Sequence, residues 1–275
     1  MTGNDFYWSS NNCRFHGIQW VPAKFTQVMI IVHGIGEHIG RYDHVAAYFA
    51  ERGYAVTGID HYGHGLSDGA KGASRGMRFT MAYLWDFLEQ TKEQYGKPVV
   101  MYGHSMGGGA LTGFLLKKQP DIVAAVISAP ALIVARRPGA LLRAILNIGA
   151  TIFPNLRVSQ GLDINKISHN RAAVEKFRDD PLRHDRMSLR LANDMVRNGL
   201  WCLRHATLLK VPSLLIHGNA DELTAVEGSR LFAERAPKGM VTYKEWPGSY
   251  HEMHNEDNRK DILFFIFQWL SHHHG

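Results

Sequence analysis

Cysteine is almost absent from this chain: Cys13 and Cys202 are the only two in 275 residues. Two distant thiols build no disulfide framework, so a reducing compartment, the cytoplasm, is expected. Long apolar runs are missing too. None reaches the ~20 residues that a helix needs to cross a bilayer. Met1–Asn12 lacks a basic stretch followed by an apolar core, so no secretory leader is expected. No Gly-Lys-Ser/Thr follows a glycine-rich turn, which excludes a nucleotide P-loop. No His-Glu-x-x-His occurs either; His251-Glu252-Met253-His254 is one residue short for two metal ligands on one helix face. No cofactor and no metal are expected. Internal repeats and low-complexity tracts are absent.

What remains is a globular composition, 45% apolar and 20% charged, of a size for one large domain with or without an insertion. The net charge of +6 is unevenly spread. Residues 131–210 carry 14 Lys+Arg against 6 Asp+Glu, a balance of +8, and the rest of the chain stands at −2. Basic character therefore belongs to one segment, where an anionic surface would act. No nucleic-acid-binding module accompanies it, so no nucleic-acid partner is expected.

The chain alternates. Two β-type stretches, near Phe6–Ser9 and Arg14–Val21, precede the uninterrupted apolar run Gln27–Val32. A helix pattern follows at Tyr42–Glu51, then a strand at Tyr54–Ile59, a helix at Met81–Tyr95, a strand at Pro98–Tyr102, a helix at Met106–Lys118 and a strand at Ala124–Ser128. Continuous Val/Ile strands alternating with helices predict a mostly parallel sheet of about eight strands, covered on both faces. The alternation stops at Ala131, giving way to helical patterns with almost no strand signal until about His205. It resumes at Val211–His217, with a helix at Glu227–Arg235, a strand at Met240–Trp246 and a helix at Asn258–Leu270. The expected division is a core over 1–130 and 206–275, with a helical insertion at 131–205.

At the centre lies Gly103-His104-Ser105-Met106-Gly107, which reads as strand, sharp turn and helix. In a Gly-x-Ser-x-Gly turn the serine backbone is strained and its Oγ stands clear at the top of the sheet. Side chains at the flanking glycines would collide across the turn. A serine hydroxyl needs a base, and that base, a histidine, needs a carboxylate to hold it. After such an elbow the acid and then the histidine follow, each on a loop after a strand. Asp221, beyond Leu214–His217 and a turn, fits the acid, with Glu222 beside it as the alternative. His251, beyond Val241–Trp246 and the turn Pro247–Tyr250, fits the base, with His254 as its rival. His104 is expected to point away from the elbow as a structural residue. Two backbone donors are needed for the oxyanion. Met106, after the nucleophile, supplies one, and the loop His33-Gly34-Ile35-Gly36 supplies the other through the Ile35 N–H.

These residues resemble the α/β-hydrolase fold and, within it, the monoacylglycerol lipase and lysophospholipase group. The resemblance runs through HGIGEHIGRY (33–42), DHYGHGLSDG (60–69), GHSMGG (103–108), FPNL (153–156), DDPL (179–182), HGNADEL (217–223) and YHEMHNE (250–256). It implies Ser105, Asp221 and His251 as a catalytic triad, Ile35 and Met106 as the oxyanion hole, and 131–205 as a cap over an acyl tunnel. The activity implied is hydrolysis of a single-chain lipid ester, a monoacylglycerol first and a lysophospholipid second. A general medium-chain carboxylesterase shares the same residues. Peptidases, thioesterases and carbon–carbon hydrolases keep this triad as well, whereas a dehalogenase or epoxide hydrolase would place a carboxylate where Ser105 stands. A binding protein on an inactive scaffold would lack a triad member, and none is missing.

Within the expected cap, Ala140–Phe153 is an apolar helix pattern with little polar face, as of a helix that is buried or lies on lipid. Leu142, Ile145 and Ile148 are the candidate substrate-binding residues on its inner face. Arg136, Arg137 and Arg143 would draw its outer face to anionic headgroups, a peripheral membrane contact.

Overall fold

The runs that are apolar without interruption become the strands covered on both sides. The computed structural model describes residues 2–135 and 139–273, with the backbone alone over 140–145. In chain order the first half comprises β1 (Asn4–Ser10), β2 (Cys13–Trp20), β3 (Gln27–Val32), α1 (Asp43–Ala50), β4 (Tyr54–Ile59), α2 (Met77–Tyr95), β5 (Val99–His104), α3 (Ser105–Lys118) and β6 (Ala124–Ser128). Then come α4 (Ala140–Ile152), β7 (Arg157–Ser159), α5 (Arg171–Arg178), β8 (Arg186–Ser188) and α6 (Leu189–Arg204). The chain ends with β9 (Ser213–Gly218), α7 (Val226–Arg235), β10 (Val241–Trp246) and α8 (Arg259–Ser271).

Eight strands form one sheet in the order β1-β2-β4-β3-β5-β6-β9-β10. From β4 to β10 every neighbour is parallel; β2 runs antiparallel to both β1 and β4. Asn11 and Asn12 close the β1–β2 hairpin with φ of 52° and 57°, the left-handed pair a two-residue turn requires. Alternate residues of each central strand feed two cores. Val28, Ile30 and Val32 with Met101, Ile127 and Leu215 pack under α2, α3 and α7, with Leu84, Phe114 and Phe232. Met29 and Ile31 with Val100, Val126 and Ile216 pack under α1 and α8, with Phe49 and Ile266. This period of two, both halves apolar, is what a sheet buried on both faces demands.

Between β6 and β9 the chain leaves the sheet. This excursion holds α4, α5, α6 and a small antiparallel pair, β7–β8. The pair was not legible in the sequence because three residues are too few to show a period. The excursion is also tied to the core. Asn198 of α6 donates its amide to Gly109 O at 2.8 Å, and Cys202 and Leu203 belong to the first core. Helix α2 begins four residues earlier than expected, at Met77. The Met77 N–H donates to the Asp194 carboxylate of α6 at 3.1 Å, a distant partner for a helix-terminal donor. Among the described residues no helix is long and apolar enough to cross a membrane.

Candidate active site

Loops leaving the carboxyl ends of β3, β5, β9 and β10 meet at one rim of the sheet, where open parallel sheets place their ligands. The tightest is the elbow after β5. Ser105 has φ of 55°, a left-handed conformation that costs a non-glycine residue energy and persists only when its surroundings enforce it. The glycines enforce it. A Cβ on Gly107 would lie 2.1 Å from Val32 O, so only glycine lets α3 press against the end of β3.

The Ser105 hydroxyl donates to His251 Nε2 at 2.8 Å. His251 Nδ1–H donates to Asp221 Oδ2 at 2.7 Å. The carboxylate thereby fixes the tautomer that leaves the Nε2 lone pair facing Ser105. The Asp221 side chain is fully buried. Its Oδ2 also accepts from His217 Nε2–H at 3.0 Å and from the Thr224 hydroxyl at 2.7 Å, and its Oδ1 accepts the N–H groups of Leu223 and Thr224 at 2.7 and 3.1 Å. Burial pushes this carboxyl up, but the charge of His251 and the hydrogen bonds from His217 and His251 outweigh it and hold Asp221 well below the usual carboxylate range. Burial likewise pushes His251 down, and the charge and hydrogen bond of Asp221 more than reverse this, raising it above the ordinary imidazole value.

Glu222 and His254 have other partners. Glu222 is exposed and pairs with Lys166 at 2.7 Å. His254 is buried with Nδ1 3.5 Å from the Tyr102 hydroxyl, and burial lowers its pKa to about 3. His104 points back beneath the elbow, its ring 4.8 Å from those of both His251 and His254. Burial keeps it neutral, so it presents no competing charge to His251.

Ile35 lines the same cavity as Ser105 and His251, and Met106 lies in the first turn of α3, where N–H groups have no acceptor within the helix. A residue that sequence reasoning did not single out orients Ile35. His61 N–H donates to His33 Nε2 at 2.9 Å, so His33 carries its proton on Nδ1 and donates it to Gly34 O at 2.7 Å. In a trans peptide the carbonyl and the next N–H point in opposite directions. Holding Gly34 O toward His33 therefore turns the Ile35 N–H away from it. The loop also abuts the nucleophile: a Cβ on Gly34 would lie 3.2 Å from that of Ser105.

A second unanticipated group links this loop to the histidine loop. Arg41 is buried between Glu37 and Glu252, bonding both oxygens of Glu252 at 2.8 and 2.7 Å. Glu37 Oε1 accepts Gly34 N–H at 2.5 Å, and Glu252 directly follows His251. An acidic residue three places after a glycine loop, as in His33-Gly34-Ile35-Gly36-Glu37, was the available signal for the first half of this bridge.

Above the rim lies a cavity of about 320 Å³. Leu146, Leu162, Met187, Met195 and Val196 from the excursion give it apolar walls. Ile148 is not among them. It is 60% exposed, and Leu146 takes the inward position instead. Two residues turn a helix by about 200°, so these two cannot share a face. Leu142 and Ile145 lie among residues whose side chains are not described, as does Arg143; Arg136 and Arg137 lie outside the described residues altogether. A separate cleft of about 420 Å³, lined by His169, Arg171, Arg178 and Tyr250 among others, contains none of Ser105, Asp221 and His251. Among the described residues no group of three or more His, Cys, Asp or Glu is placed to hold a metal ion.

A hydroxyl, an imidazole and a carboxylate in a row, beside backbone donors and an apolar cavity, suit acyl transfer. Comparison with known proteins gives the same direction. Residues 23–258 match the family described as serine aminopeptidase, S33. The chain is 31% identical to a monoacylglycerol lipase of Mycolicibacterium smegmatis, over 92% of this chain and 91% of that one. It is also 31% identical to an uncharacterized abhydrolase domain-containing protein of Dictyostelium discoideum, but spans only 27% of that longer protein's length. Among solved structures, a monoacylglycerol lipase of Paleococcus ferrophilus superposes with a TM-score of 0.86 at 30% identity, covering 94% of this chain and 99% of that one.

His251 can act as a base only when neutral. Because Asp221 raises its pKa, the protonated form persists to higher pH than an ordinary imidazole would allow. The kcat/KM for a p-nitrophenyl ester is expected to fall with decreasing pH, on an acid limb centred above the ordinary 6.5. Asp221→Asn removes the raising charge, so the limb should shift down and kcat fall by about 10⁴. A wild-type limb centred below that ordinary value would contradict the assignment.

Proposed function

The chain belongs to the serine aminopeptidase S33 family of α/β hydrolases and is a carboxylic ester hydrolase, and from that premise we propose that it cleaves monoacylglycerols through Ser105, His251 and Asp221. The observation that supports this most is the continuous row of 2.8 and 2.7 Å hydrogen bonds from Ser105 through His251 to Asp221, with Ser105 and His251 lining a largely apolar cavity of about 320 Å³.

In this reading His251 Nε2 takes the Ser105 proton as Oγ attacks the ester carbonyl. Negative charge grows on the carbonyl oxygen, and the Ile35 and Met106 N–H groups receive it. Each such donor typically lowers the barrier by ~3–4 kcal/mol. The tetrahedral species collapses, His251 passes its proton to the departing glycerol oxygen, and the acyl group stays on Ser105. Water, activated by the same imidazole, then releases the fatty acid. Asp221 stabilises the imidazolium in both halves without itself being protonated.

Residues 131–205 act as the cap over the acyl pocket, a role supported by the cavity walls that α4, β8 and α6 contribute. The outer side of that cap touches the lipid surface from which substrate is drawn. Ile148, Ile152, Phe153 and Leu156 are 54–61% exposed, an apolar cluster with no partner among the described residues. The basic balance of the same segment favours anionic headgroups.

Ser105→Ala is expected to lower monoacylglycerol turnover by about 10⁶-fold with the circular dichroism spectrum unchanged, and His251→Ala by a similar factor, because the triad acts as a unit. Turnover that survives Ser105→Ala would overturn the mechanism. On panels of equal acyl length, monoacylglycerol should be cleaved faster than diacylglycerol or lysophosphatidylcholine; activity confined to short soluble acetates would favour a general carboxylesterase. In vesicle flotation with anionic lipid, Ile152→Ser/Phe153→Ser should lower the bound fraction severalfold, and unchanged binding would remove the cap from the membrane contact.

A further inference from the structure

The cavity over Ser105 is apolar along most of its wall, but one side of its mouth is not. Gln160, Asp163, Lys166 and Glu222 line it there. Lys166 is the one cation lining the cavity among the described residues, and its Nζ already bonds Glu222 Oε1 at 2.7 Å. Among the described residues Asp163 has no such partner: its Oδ1 accepts from the backbone and side-chain N–H groups of Asn165, both at 3.0 Å. Two carboxylates against one ammonium leave this rim, among the described residues, with a formal charge of −1.

Hydrogen-bonding capacity is lopsided in the same sense. Gln160 spends its amide N–H groups on His184 O and Arg186 O, both at 3.3 Å, which leaves its Oε1 as an acceptor. Carboxylates accept and cannot donate. Apart from the Lys166 ammonium, already bonded to Glu222, the rim therefore offers acceptors and asks for donors.

We propose that Asp163, Glu222 and Gln160 make this rim a filter for the alcohol half of the ester, accepting a neutral polyol and rejecting an alcohol that carries a phosphomonoester. The inference rests on the monoacylglycerol reading and deepens it. The two free hydroxyls of a glyceryl ester supply the O–H donors the rim lacks. A phosphate dianion supplies only acceptor oxygens and brings further negative charge against Asp163, which has no cation partner among the described residues. Both carboxylates are exposed to solvent, so each contributes a screened effect of up to about fivefold rather than an absolute barrier. Discrimination should also weaken as salt shortens the reach of these charges.

The experiment compares kcat/KM for a 1-acylglycerol and for the 1-acylglycerol-3-phosphate of identical chain, both in neutral detergent micelles, with p-nitrophenyl butyrate as the reference for each variant. Wild type is expected to favour the neutral ester by about tenfold or more. Asp163→Asn/Glu222→Gln should narrow that ratio by about fivefold or more, and Lys166→Gln, which leaves both carboxylates uncompensated, should widen it. Equal wild-type rates on the two lipids, or a ratio that the double variant leaves in place, would overturn the filter while leaving the monoacylglycerol reading intact. Turnover of the butyrate with neither lipid cleaved would overturn both.

Discussion

Asp221 keeps a carboxylate out of water, and the cost of doing so organises the active-site end of the sheet. An ion buried without partners would neutralise instead of remaining charged. Here five donors surround it: the side chains of His217, His251 and Thr224, and two backbone N–H groups. Each donor comes from a fixed place. His217 is the last residue but one of β9 and is itself held through Nδ1 by the Ser229 hydroxyl of α7 at 2.7 Å. The loop after β9 wraps its own amides around Oδ1. His251 arrives from the loop after β10, and its other nitrogen is left with Ser105. Ionisation of Asp221, the tautomer of His251 and the basicity felt by Ser105 are thus one coupled arrangement.

The excursion between β6 and β9 does more than wall the cavity, because it is bonded to the loops that carry Ile35, Asp221 and His251. Glu252 N–H, next to His251, donates to Ile167 O at 2.7 Å. His184 N–H donates to Gly36 O at 3.0 Å, on the loop that presents Ile35. Lys166 reaches Glu222, next to Asp221. Beneath them Arg41 ties Glu37 to Glu252, so the loops after β3 and β10 share one buried charge cluster. A buried cluster of this kind adds little to stability when compared with apolar packing, but removing one member leaves an uncompensated charge. Its contribution here is to hold two loops in register.

The sheet was legible because its strands are buried on both faces, so Gln27–Val32 and Ala124–Ser128 stand out without any alternation to decode. The elbow was legible because its glycines are required by contact, as at Gly107. The order of acid and histidine, each beyond a strand, led to Asp221 and His251 among 16 histidines and 25 carboxylates. What stayed hidden depends on partners far away in sequence. The start of α2 rests on Asp194, the rotation of the Gly34–Ile35 peptide on His33 and His61, and the strands β7 and β8 on each other. Of Leu142, Ile145 and Ile148, expected on the inward side of α4, Ile148 faces out and Leu146 faces the cavity, because a helix apolar nearly all round does not reveal which side faces the core.

The claim underneath all of this is that the arrangement makes one serine hydroxyl nucleophilic. Reaction with a fluorophosphonate, followed by intact mass and peptide mapping, tests it most directly. One phosphonyl group per chain is expected, located on Ser105, absent in Ser105→Ala and formed orders of magnitude more slowly in His251→Ala. Labelling at another residue, or labelling of Ser105 at an undiminished rate without His251, would contradict it.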